Sequence, residues 1–390
     1  MVSKLSNDVY NVGSSDLSIK LFEGQYKIDD GMNYNSYLIL DEKIAILDTV
    51  DADEKVSKNW LENIEKVLNG KVPTYLIILH MEPDHSANIL NFLNKYPDTI
   101  LVGNNKTFAM MDLYFDNLKT SNRKVVENNE TLSLGKHNLT FVFASMVHWI
   151  EVMVAYDSYD KILFSADAFG TFGATLKPGD EKYLEEARRY YIGIVGKYGL
   201  QVQSLLKVAS TLDIKKIASL HGQVLDNNLS YYLNKYDIWS SYKAEDSGVI
   251  IAYCSVYGNT KKAVEYLASL LKKENVEVKC YDLSSCDMSL AISEAFRYDR
   301  LVLATPTYNA DIFPFMKQFI NGLIDRNYQN RTIGLIENGS WAPNANRVMK
   351  TMFEKSKNIT FTNDFVTIKA TLNEQNKKQI ELLSNELLNK

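Results

Sequence analysis

The pattern of apolar and polar positions over residues 1–240 predicts short strands with helices between and around them. Two mainly apolar runs, Asn35–Leu40 and Lys43–Asp48, flank a polar turn and predict a β-hairpin. Helical spacing of apolar residues over Glu54–Leu68 ends at Asn69-Gly70. Further strands are predicted near residues 74–79, 99–102, 124–126, 139–144, 152–155, 162–165 and 216–220, and helices from about 87, over 181–197 and after 200. This order predicts a sandwich of mixed sheets covered by helices.

The pattern changes at residues 240–247, which are polar and lack periodicity, so we predict a linker there. Beyond it, strands and helices alternate over about 140 residues, which is typical of a doubly wound parallel sheet. The predicted strands cover residues 248–254, 276–281, 300–304, 331–337 and 365–370, and the helices 260–272, 290–296, 315–324, 345–353 and 373–388. We therefore predict an α/β protein of two domains, residues 1–246 and 247–390.

One stretch passes abruptly from an apolar strand to side chains that can bind a metal. Tyr75–Leu79 predicts a buried strand, and polar groups follow it at alternate positions, namely His80, Glu82 and Asp84. Pro83 cannot donate to a β-ladder, so the chain has left the sheet by then. Ser86 or Asp84 can cap the helix that follows. Because His85 adds a second imidazole, the composition favours a divalent metal over a proton-transfer pair.

Single ligand-type residues also follow later predicted strands, namely His148, Asp167 and His221. A strand edge is a rigid place to hold a ligand. Taken alone, a histidine there is more often a hydrogen-bonded structural residue, and an aspartate more often a cap. The chain has only five histidines, and four of them occupy such positions, which predicts a common metal site. The fifth, His137, lies in a Gly-Lys-His-Asn turn and is predicted to be a solvated surface residue.

The composition argues against nucleic-acid binding, a membrane span and a cysteine-based iron site. A net charge of −5 without a basic stripe argues against a nucleic-acid partner. No apolar run is long enough for a membrane span, and the first residues lack a signal region, so we expect a cytoplasmic protein. The three cysteines, Cys254, Cys280 and Cys286, form no C-x-x-C pair. They predict neither a disulfide framework nor a rubredoxin-type iron site, and Cys254 is predicted to be a core residue.

The first turn of the second predicted domain suits an anion. It follows an apolar strand, opens a helix, and consists of Ser255, Val256, Tyr257, Gly258, Asn259 and Thr260. Backbone N–H groups and hydroxyls at a helix N-terminus bind phosphate, and Gly258 permits a close backbone approach. The loop has no Walker lysine and no G-x-G-x-x-G pattern, which favours a monophosphate. A plain β-α turn is the alternative interpretation.

Two later loops lie at predicted carboxyl ends of strands, where open α/β sheets bind ligands. Their candidate contacts are Pro306, Thr307, Tyr308 and Asn309 in one loop and Asn338, Gly339, Ser340 and Trp341 in the other. Tyr308 and Trp341 could flank a flat heterocycle, although single loop aromatics are more often packing residues. The three loops in this order resemble flavodoxin across the domain, and the resemblance implies FMN.

The candidate metal ligands of the first domain resemble, in their order along the chain, the metal motif of the metallo-β-lactamase fold and more narrowly that of the flavodiiron proteins. They are His80, Glu82, Asp84, His148, Asp167 and His221. The hydrolases of this fold usually carry histidine where this chain has Glu82. The carboxylate makes the site harder and more anionic, which favours iron. The resemblance implies that His80, Glu82 and His148 hold one iron, that Asp84 and His221 hold the other, and that Asp167 bridges them. It leaves direct ligation by His85 open.

The resemblance covers the whole chain and implies an enzyme that reduces O₂ to water and/or NO to N₂O at two non-haem irons. FMN would take electrons from a separate donor, by resemblance rubredoxin or a flavin reductase. It also implies a head-to-tail homodimer or a dimer of dimers, in which FMN of one chain faces the irons of the other. Tyr190 and Tyr191 lie on a helix that could overlook the site, and core packing is expected of at least one.

Two other hypotheses remain open from the sequence. The chain could be a zinc-dependent hydrolase of the metallo-β-lactamase fold with a regulatory flavodoxin domain, which requires zinc without iron. It could also be an electron-transfer or binding protein with a degenerate metal site, which predicts bound FMN without consumption of either gas. Metal analysis separates the first from a flavodiiron enzyme, and gas consumption separates the second.

Overall fold

A computed structural model of the protein describes residues 2–118 and 121–389. The chain divides into two compact units, Met1–Asp237 and Ile238–Lys390. Helix Leu229–Ser240 and strand Asp246–Tyr253 flank the stretch expected to be a linker, so the irregular connection is shorter than predicted. The domain boundary between residues 246 and 247 stays a prediction.

Short strands dominate the first unit, as the sequence pattern predicts. The strands are β1 Ser3–Lys4, β2 Val9–Asn11, β3 Ser14–Asp16, β4 Leu21–Phe22, β5 Tyr26–Lys27, β6 Met32–Tyr34, β7 Tyr37–Ile39, β8 Ala45–Leu47, β9 Tyr75–Ile77, β10 Ile100–Gly103, β11 Arg123–Val125, β12 Thr131–Ser133, β13 Asn138–Phe143, β14 Met153–Asp157, β15 Ile162–Phe164 and β16 Lys216–Ala218. Twelve of them form a seven-stranded sheet, β1-β2-β7-β8-β9-β10-β11, and a five-stranded sheet, β12-β13-β14-β15-β16, and the other four form two-stranded sheets, β3 with β6 and β4 with β5. Both larger sheets are mixed, with parallel pairing from β8 to β11 and between β15 and β16.

Helices complete this sandwich. They are α1 Glu54–Leu68, α2 Pro83–Ser86, α3 Ile89–Lys95, α4 Asn105–Tyr114, α5 Glu181–Tyr190, α6 Gly199–Ala209 and α7 Leu229–Ser240, with a π-helical turn at Tyr191–Val195 and 3-10 turns at Asp116–Leu118 and Gly196–Tyr198. Helices α4 and α7 were not predicted, because their apolar residues form no clear stripe. None of the helices in the described ranges is long and apolar enough to cross a membrane.

Helix α1 shows how local sequence sets an element. The Asp53 side chain caps it by accepting hydrogen bonds from the backbone N–H groups of Lys55 and Val56, both at 3.0 Å. Asn69 ends it in the left-handed conformation. The apolar stripe that includes Trp60 is buried in the same core as strand β9. This packing fixes the strand that leads into the predicted metal residues.

The second unit has the predicted doubly wound architecture. Its elements are β17 Asp246–Tyr253, α8 Asn259–Lys273, β18 Val278–Asp282, α9 Met288–Arg297, β19 Tyr298–Tyr308, β20 Asp311–Ile312, α10 Pro314–Asp325, β21 Arg331–Asn338, α11 Ala345–Met352, β22 Ile359–Phe361, β23 Val366–Ile368 and α12 Glu374–Leu388. The parallel strand order is β18-β17-β19-β21-β22, with β23 beside β21. This 2-1-3-4-5 order is that of flavodoxin-like sheets. Cys254 is buried, as predicted.

The prediction for His137 was wrong. The residue is fully buried, and its Nδ1 lies 2.8 Å from Oδ2 of Asp157, which is also buried. Burial alone would lower the pKa of His137, but the hydrogen bond and the charge of Asp157 raise it above its usual value. Its Nε2 lies 3.8 Å from Oδ2 of Asp8. A turn sequence predicts surface exposure, and the two residues before His137 are indeed exposed, but the His137 ring packs inward against Asp157 and Tyr159.

Candidate metal centre and cofactor loops

Strand β9 presents His80 at the edge of the first sheet. The backbone N–H groups of Leu79 and His80 donate to Oδ1 of the buried Asp48, at 2.8 and 3.1 Å. The chain then forms the helical turn α2 rather than an open loop, with Glu82 at its N-cap position. Neither Asp84 nor Ser86 caps the following helix, so that prediction was wrong. Because Asp84 is not used as a cap, its carboxylate can face the neighbouring histidines.

A first group of ligand-type atoms gathers around His148. Its Nε2 lies 3.0 Å from Oε2 of Glu82, 3.1 Å from Oδ2 of Asp167 and 3.4 Å from Nε2 of His80. These four residues offer atoms within 4.8 Å of one another. They come from the end of β9, the β13–β14 connection and the end of β15, so both sheets contribute.

A second group gathers around His85 and His221. The two Nε2 atoms are 3.1 Å apart, and Oδ2 of Asp84 lies 3.3 Å from Nε2 of His221. Nε2 of His85 also lies 3.1 Å from Oδ1 of Asp167. Asp84, His85 and His221 offer atoms within 4.8 Å of one another. His85, left open by the sequence, thus lies among the other candidate ligands.

Asp167 connects the two groups, because one carboxylate oxygen faces each. Oδ2 is near His148 of the first group, and Oδ1 is near His85 of the second. The side chain is 1% exposed, so little water competes for these oxygens. A carboxylate with its two oxygens turned to separate ligand groups is arranged to bridge two metal ions.

The carboxylates and imidazoles of the centre shift one another's pKa values in the direction that favours a bound cation. Burial alone would lower the pKa values of His85 and His148, but the surrounding carboxylates raise each to about 9. Burial opposes ionisation of Asp167, yet His85 and His148 hold its pKa well below the usual value. Each of these shifts favours the charged form of its group, so the ionised Asp167 carboxylate and cationic His85 and His148 imidazoles stabilise one another. Metal cations would replace the protons on those imidazoles.

Unmet polar atoms support the same conclusion. Within the described residues, both carboxylate oxygens of Asp84 and Oδ1 of Asp167 are buried and make no well-aligned hydrogen bond, although imidazole nitrogens of His221 and His85 lie 3.3 and 3.1 Å from Oδ2 of Asp84 and Oδ1 of Asp167. Buried carboxylate oxygens are normally satisfied. Oxygen and imidazole donors of this number suit two hard or borderline divalent ions such as iron. The residues present therefore fit a dimetal centre.

Two residues that were not predicted from the sequence hold candidate ligands in place. Glu151 Oε1 lies 2.8 Å from Nδ1 of His80, and the backbone carbonyl of Asn33 lies 2.8 Å from Nδ1 of His221. Such contacts fix the ring orientation and direct Nε2 to the metal. Glu151 could have been found from the sequence, because it directly precedes an apolar strand. Asn33 could not, because it acts through its backbone carbonyl, which every residue has.

Aromatic rings enclose the second group. The ring centroids of Phe22, Tyr34 and Tyr190 lie 5.5, 5.8 and 5.7 Å from that of His221. Tyr190 and Tyr191 are both fully buried, so both fill the core, and Tyr190 also overlooks the site. The Tyr190 hydroxyl is buried without a hydrogen-bond partner within the described ranges.

The first predicted flavin loop follows β17 and leads into α8. Gly258 occupies the N-cap position with φ +83°, a conformation that favours glycine. The Ser255 hydroxyl accepts from the backbone N–H of Lys261 at 3.2 Å. Thr260 is buried, whereas Val256 is exposed and Tyr257 is 91% exposed. An N-terminal turn that lacks a side chain at its cap can present backbone N–H groups to a phosphate.

The other two loops lie at the same edge of the sheet, because Pro306 pairs with Asn338 in the β19–β21 register. The Thr307 hydroxyl accepts from the backbone N–H of Asn344 at 2.9 Å and ties the loops together. Tyr308 is 44% exposed and Trp341 84% exposed. Such exposed aromatics at the carboxyl edge fit a planar ligand.

The remaining candidates have different surroundings. Asn309, Ser340 and the half-buried Gly339 lie in the loops, and Asn259 begins α8. The amide of Asn338 instead donates to the backbone carbonyl of Ala370 at 3.1 Å and accepts from its N–H at 3.1 Å. The Asn338 side chain is therefore already hydrogen-bonded to the segment that follows β23.

Comparisons with known proteins agree with this architecture. Residues 32–222 match the family model described as ODP family beta lactamase, and residues 250–381 match a flavodoxin domain. An uncharacterised protein of Methanocaldococcus jannaschii is 30% identical over 82% of this chain and 81% of its own. The flavo-diiron protein FprA2 of Clostridium acetobutylicum is 29% identical over 88% of each chain. A nitric oxide reductase of Moorella thermoacetica is 26% identical over 90% of each.

A solved structure matches along the whole chain. The rubredoxin:oxygen oxidoreductase of Desulfovibrio gigas has a TM-score of 0.91 at 25% identity, covering 100% of this chain and 99% of that one. The fold and the site define a metallo-β-lactamase-like dimetal domain followed by a flavodoxin domain. The chain belongs to the flavodiiron protein family. It is an oxidoreductase whose cofactors are FMN and two non-haem irons.

Proposed function

We propose that the protein reduces O₂ to water and/or NO to N₂O with electrons from an external donor. When bound, FMN supplies electron transfer and the two irons supply the place where the gas is bound and reduced. The observation that carries the proposal is Asp167, whose two oxygens face two separate ligand groups. The names of relatives support both gases, since one is a nitric oxide reductase and one a rubredoxin:oxygen oxidoreductase.

The proposed ligands follow from the two groups. His80, Glu82 and His148 would hold one iron, Asp84 and His221 would hold the other, and Asp167 would supply an oxygen to each. The position of His85, with Nε2 3.1 Å from that of His221, supports adding it to the second set. Glu82 supplies a carboxylate where zinc hydrolases of this fold usually carry histidine, which favours iron over zinc.

The chain's own residues prepare this chemistry in three ways. Asp48 and Glu151 fix the strand end that carries His80. Phe22 and Tyr190 limit the water that reaches the second group. In the metal-free protein, the imidazoles of His85 and His148 hold the pKa of Asp167 well below its usual value, so its carboxylate is already ionised before a metal binds.

For FMN we propose contacts from the three loops at the carboxyl edge of the second sheet. The phosphate would lie at the start of α8, and Tyr308 and Trp341 would flank the ring. The full proposed set is Ser255, Val256, Tyr257, Gly258, Asn259, Thr260, Pro306, Thr307, Tyr308, Asn309, Asn338, Gly339, Ser340 and Trp341. A separate donor such as rubredoxin or a flavin reductase would reduce the flavin.

We further propose a cytoplasmic, head-to-tail homodimer or tetramer, in which the flavin of one chain serves the irons of another. This assembly predicts that activity per site falls when dilution separates the chains. Analytical ultracentrifugation and turnover measured over the same concentrations test it. Unchanged activity per site in the monomer would exclude the arrangement.

Anaerobic reduction followed by stopped-flow mixing with each gas tests the function. We expect flavin reoxidation with consumption of O₂ or formation of N₂O, in protein that contains two irons and one FMN per chain. The zinc hydrolase hypothesis instead expects zinc, no iron and no gas consumption. That result, obtained with fully FMN-loaded protein, would overturn the proposal.

A further inference from the structure

Glu151 is the only carboxylate in the described ranges within hydrogen-bonding distance of an Nδ1 atom in the metal centre. Its Oε1 lies 2.8 Å from Nδ1 of His80 and accepts from the backbone N–H of Met81 at 2.9 Å. The side chain is fully buried. Asn104 donates to the Glu151 backbone carbonyl at 2.6 Å and holds the segment in place. Two elements thus fix this carboxylate behind one candidate iron ligand.

The corresponding contacts in the second group are weaker. Nδ1 of His221 faces a neutral acceptor, the backbone carbonyl of Asn33, at 2.8 Å. Nδ1 of His85 has no hydrogen-bond partner among the residues that the structure describes. An imidazole that donates to a carboxylate is a more basic ligand than one that donates to a carbonyl. The support behind the two metal positions is therefore unequal.

A purely structural role does not explain Glu151 well. Its Oε2 is buried and has no hydrogen-bond partner within the described part of the chain. An unmet buried carboxylate oxygen is costly, and a neutral amide could accept the same two hydrogen bonds. The retained negative charge instead acts on the His80 ring and, through it, on whatever cation Nε2 binds.

We propose that Glu151 is a positioning residue that makes the two irons unequal. By fixing the His80 tautomer and raising its basicity, Glu151 strengthens iron binding at the His80, Glu82 and His148 position and favours the ferric state there. The inference rests on the proposed diiron site. An iron held at the second position, beside His85 and His221, would then be the more easily reduced of the two by the flavin.

The test uses Glu151→Gln in the full chain, which keeps the shape and the acceptor but removes the charge. We expect iron to bind about 10–100-fold more weakly at one of its two positions, measured by chelator competition. In a redox titration followed by Mössbauer spectroscopy, the two one-electron steps should lie closer together than in the natural protein. Glu151→Asp, which keeps the charge, should restore part of both effects and also serves if the glutamine variant does not fold.

Asp157→Asn is the matched control. Asp157 and His137 form a buried pair with the same 2.8 Å separation between carboxylate oxygen and Nδ1, but outside the metal centre. This control variant should be less stable than the natural protein, but its iron affinity and the separation between its two one-electron reduction potentials should not change. If Glu151→Gln also changes stability alone, or changes nothing, the proposal is wrong.

A cobalt titration separates this proposal from the proposed function. Co²⁺ reports on the ligand set through its visible absorption, whether or not the protein reduces a gas. If the natural protein consumes neither gas but Glu151→Gln still weakens Co²⁺ at one position, the reductase assignment fails while the role of Glu151 stands. Equal Co²⁺ affinities in both proteins would overturn the role of Glu151, even in an active reductase.

Discussion

Replacing Asp167 by asparagine removes one charge from the middle of the centre while keeping its shape. Oxygens of this carboxylate lie 3.1 Å from Nε2 of His148 and of His85, and 3.6 and 3.8 Å from Nε2 of His80 and His221. All four imidazoles are therefore within ion-pair distance of a single side chain. One substitution should affect both metal positions together.

Two magnitudes follow from this placement. Loss of a residue that only supports a ligand lowers metal affinity about 10–100-fold. Asp167 is proposed to touch both irons, so each position should lose at least about 100-fold. In the metal-free protein, breaking a buried ion pair costs about 3–5 kcal/mol of unfolding free energy. That loss should be smaller here, because the imidazoles can release protons.

Chelator competition with the iron-loaded protein measures the first magnitude, and urea denaturation of the metal-free protein measures the second. Asp213→Asn is the control, since this exposed carboxylate forms ion pairs with Lys161 and Lys215 at the surface. It should leave iron content at two per chain and gas consumption unchanged. If Asp167→Asn binds both irons as tightly as the natural protein, or loses only one, the bridging role is refuted.

Three further predictions test other parts of the chain. Gly170→Ala would place a Cβ 2.7 Å from the Tyr190 ring, and such overpacking should cost about 1–3 kcal/mol and lower iron content, measured by urea denaturation and metal analysis. The pKa of His137 is raised in the folded protein, so its pair with Asp157 stabilises the fold fully at pH values below the unfolded-state pKa of about 6.5. This stabilisation is lost as the pH rises through the folded-state pKa of His137. His137→Gln should remove about 1 kcal/mol at pH 6 and less at pH 9, measured by urea denaturation at both values. Trp341→Ala should weaken FMN by about 1–2 kcal/mol in a fluorescence titration without changing iron content.

Each of these has a contrary result. Unchanged stability and iron content in Gly170→Ala would show that the Tyr190 ring moves freely. A destabilisation by His137→Gln that grows with pH would mean that the imidazole acts in its neutral form. The control for Trp341→Ala is Leu200→Ala, which removes another exposed apolar side chain. If the two variants bind FMN equally tightly, Trp341 does not contact the flavin ring.

The sequence determined the two folds and the order of the candidate ligands. Strand and helix periodicities are local, so α1 and the β-α alternation of the second unit were predicted closely. His80, Glu82 and Asp84 follow an apolar strand directly, and that transition is visible without any long-range information. Errors arose where local propensity was ambiguous, as in α7, or where a cap was assigned by residue type alone.

The tertiary structure decided which side chains meet. His80 lies 71 positions before Glu151 and 68 before His148, yet all three are brought together by packing of the two sheets. Likewise, His85 points to His221 because α2 is a helical turn, and His137 is buried because its ring packs against Asp157 and Tyr159. Such contacts depend on how whole elements pack against one another, whereas neighbouring residues in the chain determine only the elements themselves.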